Sequence, residues 1–496
     1  MRDTVERDSS MKYLVCALTL LLGVSQSVSA ANDGALLRDH ILKYYPSLLY
    51  VDKYREGFPN EIQGTKAFWS AASPPNVAQP NDLIAALAQL QDPHVSLVGK
   101  RAGKSETLGV LFRTSSDGNM IVWRVFDEPN HRVKVGDRVL AIDDVSTRAW
   151  LQRAASLTFG GNRRGRYAEA ALDLGLGTAI VHRTAHLGKA ARLLVQGNGA
   201  ARLVTLTYQP MDGRRALALT VALNQADLPR IIASHRRRIG TLRIGAFAPQ
   251  YDPVFLAADD AASKKPGTTD DKAMQAGYCA VTAAFIKRYD SLARRSDVLL
   301  LDLRGNLGGF DREARLEAGA IAPSIPARAF DLFATGKPGV VRLAEQTVDP
   351  SCGHVAHRRP IVVLVDAGTR SSGELMVAWL WSSGATIAGE QTAGADGGLD
   401  SEAKGFPLSI SGLNVRMSGN FTIFDPSLQL NEGDWSEKAI VAQVAANHFG
   451  LSRYRPFAFQ SVGFRPDILA PTTLSDLRDG GVASVKRIVS ELRVVR

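Results

Sequence analysis

Five consecutive β-branched or leucine residues, Ile361-Val362-Val363-Leu364-Val365, constrain the fold more than any other stretch. A strand that is apolar on both faces must be covered on both faces. Gly368 and Thr369 break the run, and Leu375, Val377, Ala378, Trp379 and Trp381 resume at helical spacing. Ser371 and Ser372 stand between strand and helix. N–H groups at a helix start point outward and welcome negative charge. Ser371 is therefore placed to attack a carbonyl, provided that a base and an oxyanion pocket lie elsewhere. The blander alternative is that Ser371 or Ser372 caps the helix.

The rest of the C-terminal half repeats this strand–helix grammar. Apolar strands are expected at 240–244, 298–302, 361–365 and 386–389, with a helix at 276–293 between the first two. That alternation predicts a mixed α/β core. The charged stretch 259–272, with Pro266-Gly267, reads as an exposed loop. Upstream, 35–97 reads as mainly helical, with Leu83, Ile84, Leu87 and Leu90 on one face and a stop at Asp92-Pro93. Residues 106–223 are richer in strands, expected at 108–112, 121–125, 135–143, 202–208 and 217–223, around a glycine- and alanine-rich helical insertion at 163–191.

A chain of 496 residues with this organisation predicts more than one domain. The boundaries read as a leader at 1–30, a helical region at 31–105, a strand-rich unit at 106–225 and the α/β core at 236–496. The leader follows from Met11-Lys12, the apolar run 13–24 and the small residues 25–31, with Val28-Ser29-Ala30 as the cleavage site and Met11 as a candidate start. The expected destination is export, to a periplasm or the extracellular space, with no membrane span left after cleavage. The net charge of +10 does not point to nucleic acid, because the basic runs 163–166 and 235–238 lack interleaved aromatics and any nucleic-acid motif. Outside the leader the cysteines are Cys279 and Cys352. They form one disulfide or remain two buried thiols. With no CxxC or HExxH arrangement, neither a metal site nor a cofactor is expected.

Three further segments bear on Ser371. Asp302-Leu303-Arg304-Gly305-Asn306-Leu307-Gly308-Gly309 follows an apolar strand, and its glycines let backbone approach a substrate carbonyl and donate to it. Leu90-Gln91-Asp92-Pro93-His94 sets a histidine, the usual base for a serine, at a helix end. Gly389-Glu390-Gln391-Thr392-Ala393-Gly394 is a glycine-rich turn after a strand.

In this order, and with the late Val462-Gly463-Phe464-Arg465-Pro466-Asp467-Ile468 segment, the chain resembles the S41-type peptidase family. These are the carboxyl-terminal processing (tail-specific) proteases, and the likeness is closer to the tricorn-core and retinoid-binding-protein branch. The resemblance implies a ClpP/crotonase-like α/β core with an inserted PDZ-like domain. It places Ser371 as nucleophile, and the N–H groups of Ser372 and of Gly308 or Gly309 as the oxyanion hole. It also implies that Gly109, Val110 and Leu111 bind substrate, as the carboxylate-binding loop of the PDZ-like domain. Tail-specific proteases carry a lysine base at the position of Ala395, so that option is removed here; Lys404 lies further on. The tricorn-like branch uses the histidine that matches His94, oriented by a residue that matches Gln460 by spacing. The expected activity is serine endopeptidase cleavage of polypeptides, held by their C-termini, through an acyl-enzyme. The alternatives are a catalytically silent binding protein on the same fold, or an esterase using the same residues. Arg304, Asp302, Trp379 and Trp381 read as structural, and Glu374 as a complement to the helix dipole.

Overall fold

The computed structural model describes residues 33–48, 69, 80–98, 106–128, 132–177, 189–234, 237–323, 328–398, 406–408, 413–446 and 455–492. The expected leader and Lys404 lie outside the described residues. The fold is mixed α/β. Its centre is a six-stranded sheet in the order Ile231–Ser234, Arg237–Arg243, Val298–Asp302, Ile361–Val365, Thr386–Gly389, Ile468–Leu469. The first pair is an antiparallel hairpin and the remaining pairs are parallel.

Alternation along these strands feeds two cores. Leu299, Leu301, Val363, Val365 and Ile387 point to one side, where Phe285, Trp379 and Trp381 are buried. Val298, Leu300, Val362, Leu364 and Ala388 point to the other, against Val485, Ile488 and Val489 of the helix Val482–Glu491. The two-faced strand is covered on both faces for this reason, and its C-terminal end delivers Ser371 to the sheet edge where the loops collect.

Two other packings position the site. The helices Asp33–Tyr44 and Pro80–Ala88 share a core with Leu408, Val415 and Met417, and the strand Ser96–Val98 pairs with Leu413–Arg416. This docks the segment carrying His94 on the α/β core. The strand-rich unit is an antiparallel sheet, Val110–Thr114, Met120–Val125, Arg138–Ile142, Ala190–Gln196, Arg202–Thr207, with the helices Thr147–Ala155 and Arg163–Leu176. Arg113 of its first strand makes an ion pair with Asp366 of the core at 2.6 Å, both buried.

Two local expectations change. Residues 217–223 belong to a helix, Gly213–Asn224, not to a closing strand. Their period-two pattern of Leu217, Leu219, Val221 and Leu223 misleads because Asp212 caps the segment, accepting from the Arg215 N–H, and only Ala222 and Leu223 are buried. The stretch 259–272 is mostly helix too, ending Pro253–Ser263 and opening Asp270–Ala293, with Asp252 and Thr269 as caps. Cys279 and Cys352 are joined, closing a span of 73 residues. Among the described residues no helix is long and apolar enough to cross a membrane.

Candidate active site

Ser371 has φ 54° and ψ −132°, a left-handed conformation that a serine adopts at a cost of about 1–3 kcal/mol. Its side chain makes no capping bond, although the helix Ser372–Ser382 begins at the next residue. The turn is held by its backbone instead. The Ser371 carbonyl accepts from the N–H groups of Glu374 and Leu375, and Arg370 N–H donates to the Asn306 carbonyl at 3.0 Å. The hydroxyl is thereby turned out of the cap and toward His94, whose Nε2 lies 2.9 Å from Ser371 Oγ.

Asp92 lies behind His94, at ion-pair range of a ring Nδ1 that makes no hydrogen bond. An aspartate two residues before a backbone N–H closes a local turn, and Asp92 Oδ1 accepts from His94 N–H at 2.8 Å. The same oxygen lies 3.5 Å from His94 Nδ1, at ion-pair range. Asp92 Oδ2 accepts from the Tyr45 hydroxyl at 2.9 Å and from Ser418 Oγ at 2.6 Å. Burial alone would raise the Asp92 carboxyl, but the approach and charge of the His94 ring, the Ser418 hydroxyl and the backbone bond outweigh it and hold it below its usual range.

Gln460 does not stand behind His94. Its Oε1 accepts from the N–H groups of Asp396 and Gly397 at 2.8 and 3.0 Å, and its amide lies beside the Tyr45 hydroxyl, one link further out. Spacing alone had pointed to Gln460; Asp92, inside the same short segment as the histidine, stands there instead.

The glycine turn lies directly against the nucleophile. A Cβ on Gly308 would sit 2.5 Å from Ser371 Cβ and 3.0 Å from Oγ, so only glycine fits there. Gly308 N–H is not a free donor, since it donates to Asn306 Oδ1 at 2.7 Å. Among the described residues no acceptor takes the N–H of Gly309 or Ser372. Phe247 fixes the turn from the side: its N–H donates to the Gly308 carbonyl and its carbonyl accepts from Phe310 N–H, each at 2.8 Å. Ser372 Oγ donates to the Gly309 carbonyl and lies 2.5 Å from Asp311 Oδ1, tying the serine turn to the glycine turn.

Two buried carboxylates hold these loops together. Asp366 Oδ1 accepts from Gly305 and Gly368 N–H at 2.7 and 3.0 Å, and its Oδ2 takes Arg113. Glu374 does more than complement the helix dipole. It accepts from Gly394 and Ala395 N–H at 2.8 and 2.7 Å and from the Thr392 hydroxyl, fixing the third glycine turn. Burial pushes the Glu374 carboxyl up to about 7, against the downward pull of those donors. Asp302 and Arg304 form a buried bidentate pair, and Trp379 and Trp381 are core residues.

The stretch Gly109, Val110 and Leu111 presents no open groove. All three are buried, Gly109 N–H donates to Thr107 Oγ1 at 3.0 Å, and the helix Arg163–Leu176 lies so close that a Cβ on Gly175 would meet the Val110 carbonyl at 2.3 Å. Further along the strand, a cleft between Phe112–Thr114, that helix and the Gly368–Arg370 turn holds only about 40 Å³, room for a few waters and not for a peptide residue. The expectation that these backbone groups capture a substrate C-terminus therefore meets a closed site.

A serine hydroxyl within one hydrogen bond of an imidazole, a carboxylate behind that imidazole and free backbone donors beside the serine define the class: a serine-type hydrolase. Residues 239–405, which include the Gly308 turn and Ser371, match peptidase family S41. No curated protein matches the sequence. Among solved structures, mature CPAF complexed with lactacystin is similar at 16% identity and TM-score 0.59, covering 93% of this chain and 98% of that one. Mature CPAF alone is similar at 15% identity and TM-score 0.59, covering 93% and 96%. At these identities the likeness is one of fold.

Proposed function

We propose that the protein is an exported serine endopeptidase that cleaves polypeptides through an acyl-enzyme on Ser371. The observation that carries this reading is the 2.9 Å contact between Ser371 Oγ and His94 Nε2, made across 277 residues of sequence by two side chains with no structural need to meet. His94 accepts the hydroxyl proton as Oγ attacks the peptide carbonyl. The N–H groups of Ser372 and Gly309 receive the developing oxyanion, each such donor being worth about 3–4 kcal/mol in the transition state. His94, now an imidazolium facing Asp92, gives its proton to the leaving amine, and water then resolves the ester. Lysine is not needed in this scheme, consistent with Ala395 at the position where tail-specific relatives carry one. A silent binding protein would have no reason to keep the serine out of the cap and against an imidazole.

Export is supported by the leader-like N-terminus and by the Cys279–Cys352 pair, a bond that persists in oxidising compartments. The test is active-site labelling with a fluorophosphonate together with cleavage of unfolded casein. The parent chain labels and cleaves; Ser371→Ala does neither and keeps its fold, because the Ser371 side chain supports no cap. Full proteolysis by Ser371→Ala would overturn the proposal.

A further inference from the structure

A second cleft, of 460 Å³, opens beside the glycine turn. One wall carries Ala246 and Ala248, which flank Phe247, the residue that clamps Gly308 and Phe310. Another is the helix Asp311–Ile321, which starts two residues after Gly309. Its floor holds Glu313 and Glu317, one helical turn apart and only 7% and 3% exposed. Oε2 of each is buried with no hydrogen-bond partner. Arg288 also lines the cleft; its charge pulls both carboxyls down, but among the described residues no hydrogen bond joins it to either one. Arg243 also lines the cleft; its Nη1 lies 3.6 Å from Asp302, while its Nη2 is buried without a hydrogen-bond partner.

Two orphaned carboxyl oxygens side by side are costly in a folded chain. Burial drives the Glu317 carboxyl up to about 8, and burial and then Glu317 itself raise Glu313. The missing partner is a group with several donors and a positive charge. The lining offers some apolar surface, Val221, which is 64% exposed, and Pro253, beside the polar Thr220, Asn224 and Gln225. An aliphatic stem ending in a cation matches both parts. Gly308, which packs against Ser371, is five Cα steps from Glu313, at most about 19 Å, so the floor lies within about six extended residues of the nucleophile.

We propose that this cleft binds a basic side chain of the polypeptide substrate, within about six residues of the scissile bond. The inference rests on the peptidase reading of Ser371 and His94. The probes are peptides that differ only by lysine against norleucine, scanned through the six positions on each side of the cut. The parent chain should prefer lysine at one fixed position by at least tenfold in kcat/KM, and Glu313→Gln/Glu317→Gln should bring that ratio to near one. Val221→Arg, a surface change that sets a like charge at the mouth, should lower the ratio without altering the floor. A parent chain indifferent to lysine at every position, or a preference that survives the double variant, overturns the inference. If the parent cleaves no peptide at all, the peptidase reading fails, and the cleft is then judged by binding alone. Nα-acetyl-lysine methylamide titrated into the Ser371→Ala chain should bind at least tenfold tighter than its norleucine counterpart, and equal affinities would overturn the inference.

Discussion

Replacing Asp92 by asparagine separates the charge behind His94 from the geometry around it. The amide oxygen can keep the 2.8 Å bond from His94 N–H, and the amide nitrogen then faces the Tyr45 and Ser418 hydroxyls, which can turn and accept. The local turn survives and the negative charge is lost. At 3.5 Å and an effective dielectric constant near 20, a carboxylate stabilises an imidazolium by about 5 kcal/mol. At about 1.4 kcal/mol per decade, this predicts a fall in kcat of roughly 10³-fold, near the ~10⁴ seen when the same exchange is made in other Ser-His-Asp triads. KM should move little, because Asp92 is buried away from substrate.

The assay is the second-order rate of fluorophosphonate labelling of Ser371, alongside steady-state cleavage of a fluorogenic peptide. The control is Gln460→Ala, which removes the acceptor for two backbone N–H groups. It should cost about 1–3 kcal/mol of stability and slow labelling less than fivefold. Labelling of Asp92→Asn at the parent rate would refute the assignment, as would a folded Gln460→Ala that is slower than Asp92→Asn.

Other perturbations probe the supports. Arg113→Ala leaves Asp366 buried without its ion-pair partner beneath both active-site turns, and should cost about 3 kcal/mol in chemical denaturation. Reducing Cys279–Cys352, or replacing both by serine, reopens a 73-residue span and should lower stability by about 4 kcal/mol, read as a shifted denaturation midpoint. Glu317 has its carboxyl raised from 4.5 to about 8 by burial, with Arg288 opposing and Asp252 assisting, and beside Glu313. A raised carboxyl contributes stability that is complete below the unfolded value and is lost as pH rises through the folded one. The parent chain should therefore lose stability between about pH 4.5 and 8, and Glu313→Gln/Glu317→Gln should flatten that slope in thermal unfolding followed across pH.

The central strands were legible because burial on both faces leaves runs that are apolar apart from a terminal Asp302 or Thr386. The expected strands at 298–302, 361–365 and 386–389 coincide with the observed ones. The 217–223 helix was misread because Leu, Ala and Val at alternate positions satisfy a strand pattern, and the deciding residue, Asp212, stands outside the run. Asp92 was missed although it lies two residues from His94. The signal was present, since Asp-Pro-X closes a turn that brings the carboxylate to the backbone N–H of the third residue. Its other partners, Tyr45 and Ser418, are 47 residues before and 326 after it, and no local pattern announces them. The closed Gly109–Leu111 stretch was hidden for the same reason, because the helix that covers it follows some fifty residues later.

The arrangement explains why the serine does not collapse into a cap. A serine at this position of an isolated helix would satisfy an orphan N–H with its own hydroxyl and relax its backbone. Here three contacts prevent it. Asn306 takes Arg370 N–H on its carbonyl, Gly308 fills the space beside Ser371 Cβ, and Glu374, one turn into the helix, is committed to Gly394 and Ala395. The first two contacts come from the 302–309 glycine turn and the third ties the helix to the 389–395 turn, while Asp366 and Ser372 couple the 302–309 turn to the serine turn. The strained conformation is thus over-determined by its surroundings, which leaves one hydroxyl without a cap to make, two N–H groups without an acceptor, and an imidazole within reach of the hydroxyl.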